Sequence, residues 1–514
     1  MEQRIKVIDL FAGPGGLGEG FASAGPDDAP TFKIAVSVEK EASAHKTLTL
    51  RAFTREFKNR ALPEKYYEYL RDEITKDTLV EAYPKEWKAA NEETLGGPVE
   101  LGKHNDIIYK KIDEALGENK DPWVLIGGPP CQAYSLAGRA RNDNNKKYIA
   151  AEDERHFLYK EYLEIIKRFK PAVFVMENVK GMLSSSPTGQ PIFDQILLDL
   201  KNPDRKNLKY NIFSLSNTPS TNDLFGPCFT SKDFVIKAEK YGVPQARHRV
   251  VLLGVRSDIS NAGVQTLLTE TPEVNIGTVL NNMPKLRSGL SKGIDDASDW
   301  QKIVKGALNS ASKTLDIDPE KVLNKPLPTS RGKKFTPAKM TLSKDLPTKL
   351  RDWLLDTNLA GVIQHVTRSH MNSDIERYAY VSLFGFNQNR SPLIADFPKH
   401  LLPAHKNVYS GKFVDRFKTQ VKHLPSKTIT SHIAKDSHAF IHFDPVQSRG
   451  LTVREAARIQ TFPENYFFEG NRTEQYVQVG NAVPPFLARQ IAQVVQEIIS
   501  RNNSLYAKKS KPAE

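Results

Sequence analysis

Only two cysteines, Cys131 and Cys228, occur in the 514 residues. Neither a disulfide framework nor a four-thiolate zinc site can be built from so distant a pair, so a reducing, intracellular setting is expected, and any cysteine chemistry rests on a single thiol. Long apolar runs are missing as well. No stretch approaches the roughly 18–20 residues that span a bilayer, and the opening MEQRIKVIDLF lacks the apolar core and small-residue cleavage site of an export signal; no membrane contact and a cytoplasmic location are expected. The 12 histidines show no paired ligand spacing, so no metal is expected. Two phosphate-binding signatures, G-x-G-x-x-G and a Gly-Lys-Ser/Thr loop, are also lacking.

What is present is an ordinary globular composition, 39% apolar and 26% charged, in a chain long enough for two or more domains. The net charge of +13 is unevenly placed. Between Lys321 and Thr430 there are 19 Lys or Arg against 7 Asp or Glu, a surplus of 12. His365, His370, His400, His405 and His423 are interleaved there with Tyr378, Tyr380, Phe384, Phe386 and Tyr409. Such a mixture suits phosphate contact and groove insertion, with a solvated basic face as the plainer alternative.

The first part of the chain alternates strand-like runs, Ile5 to Phe11, Ile34 to Val38, Trp123 to Ile126, Val173 to Met176 and Val250 to Val255, with helical patterns such as Phe157 to Arg168. That alternation predicts an α/β fold with a doubly wound, mostly parallel sheet whose functional residues follow the strands. After Arg256 the pattern turns to short strands, Pro- and Lys-rich turns and few clear helices. Helical character returns at LTVREAARIQTFP and in a closing helix from Pro484 to Ile499. The expected division is a catalytic first part over 1–258, a smaller irregular inserted domain over 259–424, a segment over 425–503 that completes the first domain, and a disordered tail over 504–514.

Four constellations carry chemistry. Asp9 to Gly18, DLFAGPGGLG, is a glycine-rich turn after a strand, where backbone can approach a nucleoside ligand without a tight phosphate demand. Glu39 ends the second strand and is either a ribose acceptor or an exposed acid. Gly127-Gly128-Pro129-Pro130-Cys131-Gln132 fixes the backbone before a thiol; a lone cysteine is commonly a buried hydrophobe, but the flanking residues speak against burial. Glu177-Asn178-Val179 follows a core strand, its acid structural or catalytic. In Gln245-Ala246-Arg247-His248-Arg249, strand alternation puts Gln245, Arg247 and Arg249 on one face, and two arginines there need an anionic or carbonyl partner.

Taken together, DLFAGPGG, Glu39, GGPPCQAYS, ENVKG, QARHR, LTVREAARIQTFP and the block Gln478 to Pro485 stand in the order found in cytosine-specific DNA methyltransferases. Over roughly 1–258 and 425–500 the chain resembles that family, and in particular bacterial restriction-modification enzymes, which methylate ring carbon 5 using S-adenosylmethionine and release S-adenosylhomocysteine.

The resemblance implies a Rossmann-like methyltransferase fold in which Cys131 adds to carbon 6 of cytosine, Glu177 holds ring nitrogen 3, Arg247 binds the base carbonyl and Arg249 supports the acid. It places the cofactor against Phe11, Ala12, Gly13, Gly15, Gly16, Glu39, Pro129, Leu158, Asn481 and Val483. Where the family has Gly-Asp-Ile, this chain has Asn105-Asp106-Ile107, which puts Asp106 at the adenine. Gln132, Ser135, Arg139 and Gln245 are implied DNA contacts, and the loop after Cys131, from Ala133 to about Asp153, is basic enough to close over a duplex, with the base rotated out of the stack. The partners are then double-stranded DNA and, acting separately, a cognate restriction endonuclease, with the enzyme a monomer. Competing readings are a transfer-RNA methyltransferase, a catalytically silent DNA binder and an amino-group methyltransferase. The long basic insertion disfavours the first, the intact Cys131, Glu177 and Arg247 the second, and Pro-Pro-Cys-Gln in place of an Asn/Asp-Pro-Pro-aromatic block the third. Cys228 matches no block and reads as structural.

Overall fold

The computed structural model describes residues 4–118, 122–130, 158–184, 192–223, 226–259, 267–339, 341–403 and 416–509. The central sheet contains β1 (Ile5–Leu10), β2 (Phe32–Val38), β3 (Val124–Gly127), β4 (Val173–Val179), β5 (Tyr210–Phe213), β6 (Val235–Lys237) and β7 (His248–Arg256), ordered β2-β1-β3-β4-β7-β5 with β6 also on β7. β1 to β4 run parallel, and β7 runs antiparallel to β4, β5 and β6. The expected doubly wound, mostly parallel sheet is present, and the order reverses between β1 and β3, where such sheets hold their ligands.

These strands are continuous apolar runs because both faces are covered. Val7, Val124, Ile126, Val173 and Val175 enter one buried cluster with α1 (Gly16–Ala22), while Ile8, Leu10, Leu125, Phe174 and Met176 enter another. The second cluster is closed by α3 (Asn105–Leu116), α4 (Leu158–Phe169) and α5 (Ile192–Lys201), with α2 (Ala42–Arg55) following β2.

The inserted region departs from expectation. It contains two long helices, α6 (Ala297–Leu315) and α7 (Asn372–Gln388), packed on each other around Trp300, Val304, Leu308, Ile375 and Leu383. On α6 the apolar stripe is thin and set among Lys, Asn and Ser; α7 is crowded with aromatic and β-branched residues that suit strands, and packing overrides that preference. The same packing corrects the reading of the interleaved aromatics. Tyr378, Tyr380 and Phe384 are buried, as are His365 and His370, so they build a core rather than enter a groove. Phe386, His400 and His423 are exposed; His405 and Tyr409 lie outside the described residues.

Nor is the insertion a separate body. Val274, Ile276, Val279, Leu350 and Leu354 share a core with Ile459, Phe462 and Tyr476, across the border expected at 424. α8 (Val453–Ile459), α9 (Arg472–Asn481) and α10 (Pro485–Lys509) then bring the chain back to the sheet, α10 packing along α1. Since α10 runs to Lys509, the expected disordered tail is helical over its first half. Among the described residues no helix is long and apolar enough to cross a membrane.

Candidate active site

Strand register assembles the site. Leu10 pairs with Val38 on one side and Gly127 on the other, and Gly127 pairs with Met176. The next residue on each strand therefore falls on one rim: Phe11, Glu39, Gly128 and Glu177. β7 joins the same rim because it runs the other way, placing its first residues beside the end of β4, with Arg249 opposite Val179 and Val251 opposite Glu177.

At the glycine-rich turn the backbone is committed before any ligand arrives. Phe11 (φ 56°), Gly13 (φ 58°) and Gly15 (φ 95°) are left-handed, and for phenylalanine this is a strained state of the kind found at ligand clamps. Ala12 donates its amide to Val38 O (3.0 Å). No described atom lies within 4 Å of where a β-carbon on Gly13 would sit, so the turn faces open space. Glu39 is buried at the edge of that space. Its Oε2 accepts from Gly13 N (2.7 Å), and Oε1 from Lys40 N (2.9 Å) and Glu41 N (2.7 Å). Burial raises its pKa, and these three amides oppose the rise. Four acceptor positions on a carboxylate and three amide donors leave one for a hydroxyl.

The other glycines answer to packing. A β-carbon at Gly16 would lie 2.3 Å from Val483 O, and one at Gly20 2.3 Å from Ala488 Cβ. Gly16, expected as a cofactor contact, is thus required by the returning segment. Tyr466 adds a hydroxyl hydrogen bond to Pro14 O. These contacts explain why the chain comes back: it braces the ligand turn from behind.

On the catalytic side Glu177 is mostly enclosed, and Arg249 Nε meets its Oε1 at 3.0 Å. Arg249 also donates to His248 O (2.9 Å). A β-carbon at Gly128 would stand 3.1 Å from Glu177 Oε2, so a larger residue there would crowd the acid that the Gly-Pro-Pro loop passes. Asn178, given no role from sequence, donates to Pro129 O (3.1 Å) and fastens that loop to β4. Pro129 is buried, and Leu158 is half-buried at the start of α4. Val483 is half-buried beside Leu17, Glu177 and Arg249, while Asn481 is exposed at the end of α9. Cys131, Gln132, Ser135 and Arg139 lie outside the described residues.

Three expectations need correcting. Arg247 is 2% exposed; its Nη1 donates to Ile429 O (2.9 Å) and Gly480 O (3.3 Å), which ties the returning segment to β7 instead of presenting the group to a base. Burial, then the neighbouring Arg249 charge, push its pKa far down, and Glu177 only partly offsets them. Gln245 is fully buried, donating to Gln460 Oε1 (2.8 Å) and accepting from Ile429 N (2.7 Å), and has no surface left for DNA. Asp106 is exposed in the first turn of α3. The segment beside the second strand is Val99 to Leu101 instead, with Val99 N on Glu39 O (2.9 Å) and Glu100 paired with Lys40 (3.1 Å). An acid between two apolar residues was the available signal for Glu100.

A cleft of about 2490 Å³ opens at the amino ends of the strands near Ile5, Phe32 and Trp123 and contains none of these groups. Ligands of open α/β sheets bind at the other end, so the rim is the site. Fold and rim define an α/β enzyme that sets a glycine-rich ligand turn beside a carboxylate–guanidinium pair.

Known proteins specify the enzyme. The model of the C-5 cytosine-specific DNA methylase family matches residues 98–497. The chain is 31% identical over 520 residues to the type II methyltransferase M.Bpa9945I of Bacillus paralicheniformis, covering 96% of this chain and 99% of that protein. It is 26% identical to the type II methyltransferase M.AgeI of Thalassovita gelatinovora, covering 96% and 100%. Among solved structures, a putative DNA modification methyltransferase encoded within an E. coli prophage aligns at 17% identity and a TM-score of 0.46, over 96% of this chain and 99% of that one. The chain belongs to the C-5 cytosine-specific DNA methylase family and is a DNA (cytosine-5-)-methyltransferase, a class that uses S-adenosylmethionine.

Proposed function

We propose that the chain methylates carbon 5 of a cytosine rotated out of double-stranded DNA, through a transient bond to Cys131, as the modification partner of a separately acting restriction endonuclease. The observation that carries this reading is the shared rim: the glycine turn and Glu39 stand on one side of Gly128, Glu177 with Arg249 on the other, and Cys131 follows Gly128 by three residues. The open face of Gly13 and the spare acceptor on Glu39 fit a nucleoside with ribose hydroxyls. Glu100, one residue after the Val99 amide that bonds Glu39 O, takes the place of Asp106 as the candidate acid for the adenine.

S-adenosylmethionine, when bound, supplies an electrophilic methyl group. The chain has to make cytosine nucleophilic. The Cys131 thiolate adds to carbon 6, and the charge pushed into the ring is met at nitrogen 3 by a proton held on Glu177. Arg249 keeps Glu177 aimed and, having five N–H donors of which Glu177 and His248 account for two, can also reach the ring carbonyl. After methylation the carbon 5 proton leaves, the pair of electrons re-forms the ring double bond, and Cys131 is expelled. A base inside the stack cannot meet a thiol, so rotation is required; the basic insertion supplies the surface that holds the opened duplex.

Replacing Cys131 with Ser should abolish transfer while duplex binding survives, and 5-fluorocytosine in the substrate should trap an adduct only with the unmodified enzyme. Label found on an exocyclic nitrogen, or an adduct formed by Cys131→Ser, would overturn this mechanism.

A further inference from the structure

Three guanidinium groups from distant parts of the chain meet around the short strand Ser369–His370. Arg331 reaches Ser369 Oγ (3.2 Å) and Thr367 O (3.4 Å), and Arg472 donates to Thr367 O (2.8 Å). Arg368 lies 4.4 Å over the Tyr476 ring and donates to Ala434 O (2.9 Å). Among the described residues one carboxylate is shared here, Asp295, which takes Arg331 (2.7 Å) and also Arg287 (2.6 Å). Arg368 and Arg472 are bonded to backbone carbonyls, which position them without neutralising them. Burial lowers the pKa of Arg472; Tyr476 opposes the fall, and the Arg368 and Arg331 charges add to it. A protein gains nothing in stability by crowding three like charges, so the cluster calls for an anion.

Beside it stands the most exposed large apolar side chain among the described residues, Ile294, at 89%. It is not exposed through looseness. Gly293 (φ 74°) turns the chain just before it; Asp295 just after it is locked by Arg287, Arg331 and Leu290 N (3.0 Å); and Asp296 caps α6. Gly289–Leu290 pairs in parallel with Ser369–His370, so both chains leave at the same end, and there Met371 is 46% exposed. A rigid apolar point beside Arg368 and Arg472, which bond backbone carbonyls rather than carboxylates, matches a polyanion that also offers apolar faces. Duplex DNA has both, with phosphates outside and base edges in the grooves. The location agrees: Ala434, which Arg368 grips, ends the turn Ser431–Ala434, and that turn packs so closely on Gly480 that a β-carbon there would lie 2.2 Å from Ser431 N. Asn481 and Val483, on the cofactor side, follow directly.

We propose that Arg331, Arg368 and Arg472 grip phosphates of the duplex while Ile294, with Met371, presses on base edges, making this strand end a sequence-reading contact. The proposal rests on the duplex-DNA reading above. Its test uses the full-length enzyme, a labelled random-sequence duplex of about 30 base pairs, and unmethylated genomic DNA as methyl acceptor. Arg472→Ala should reduce the salt dependence of duplex affinity by about one phosphate contact, and Arg472→Lys should restore it. Ile294→Ser should keep the wild-type salt dependence but lower kcat/KM on genomic DNA about tenfold and widen the set of methylated sequences. Both side chains are exposed, and an unchanged Tm excludes misfolding; Lys292→Ala provides a second charge-removing variant on the same loop. If the wild-type enzyme binds and methylates DNA while all these variants match it in salt dependence, kcat/KM and sequence choice, this surface is not the contact. If the wild-type enzyme does not bind the duplex, the duplex-DNA reading falls, and this proposal with it.

Discussion

Two arginine–glutamate pairs, one in the returning segment and one on the rim, use the same chemistry to opposite ends. Arg449 and Glu455 are both fully enclosed: Nη1 and Nη2 meet the two carboxylate oxygens at 2.8 and 2.7 Å, and the remaining N–H groups go to Leu286 O, Gly450 O and Gln447 Oε1. Thr452 N completes the carboxylate at 2.7 Å. Every donor is used. The Arg249–Glu177 side chains keep 17% and 14% of their surface, touch through one contact, and stand next to Arg247, whose Nε has no partner among the described residues. Closed networks fix a fold, whereas incomplete ones retain capacity for something that arrives later. The closed pair ties the insertion to the returning segment; the open pair lies where a base must be received.

Breaking the closed pair should have the largest effect. Glu455→Ala leaves a buried guanidinium uncompensated and should cost about 3–5 kcal/mol of stability, read as a lower denaturant midpoint; a midpoint near wild type would mean that the pair is dispensable. Breaking the open pair should spare the fold and cost catalysis. Glu177→Gln keeps the shape but cannot hold a proton for ring nitrogen 3, so kcat should fall about 100-fold, roughly 2.7 kcal/mol, with DNA affinity and Tm unchanged. Should binding suffer and kcat hold, Glu177 is a docking residue and the contrast between the pairs is lost.

This contrast was only half legible in the sequence. β1, β3, β4 and β7 stand within three residues of where their apolar runs placed them, because strands buried on both faces announce themselves. Glu39 and Glu177, which end such runs, were found for the same reason. What sequence could not supply was partnership across hundreds of residues. Nothing local reveals that Gly16 is needed by Val483, that Tyr466 closes on Pro14, or that Gln245 is consumed by Gln460 and Ile429. The reversal of β7, which decides which arginine meets Glu177, is likewise a property of the sheet. In the insertion, composition misled: tyrosines and histidines among lysines looked like a nucleic-acid face, and most of the described ones are core.

The smallest expected effect concerns a third buried acid, Asp9, which belongs to neither network. It lies one residue before the end of β1 beneath α1, where a β-carbon at Gly18 would lie 2.8 Å from its Oδ2. Burial raises its pKa to about 8, against the lowering influence of Arg55 and the Gly18 amide. A carboxyl with a folded-state pKa above its unfolded value stays protonated in the native state after the unfolded chain has released its proton. Its contribution to stability is therefore complete below the unfolded pKa and is lost as pH rises through the folded one. Between pH 6.5 and 8 that loss amounts to about 2 kcal/mol at most, at roughly 1.4 kcal/mol per pH unit. Asp9→Asn has the same shape and does not titrate. Its stability relative to wild type should therefore rise by up to about that much over this interval, in denaturant unfolding followed at several pH values. Parallel profiles for the two proteins would mean that Asp9 is already ionised in the folded state, its charge balanced by Arg55; the buried-charge network beneath the ligand turn would then be closed in the manner of Arg449 and Glu455.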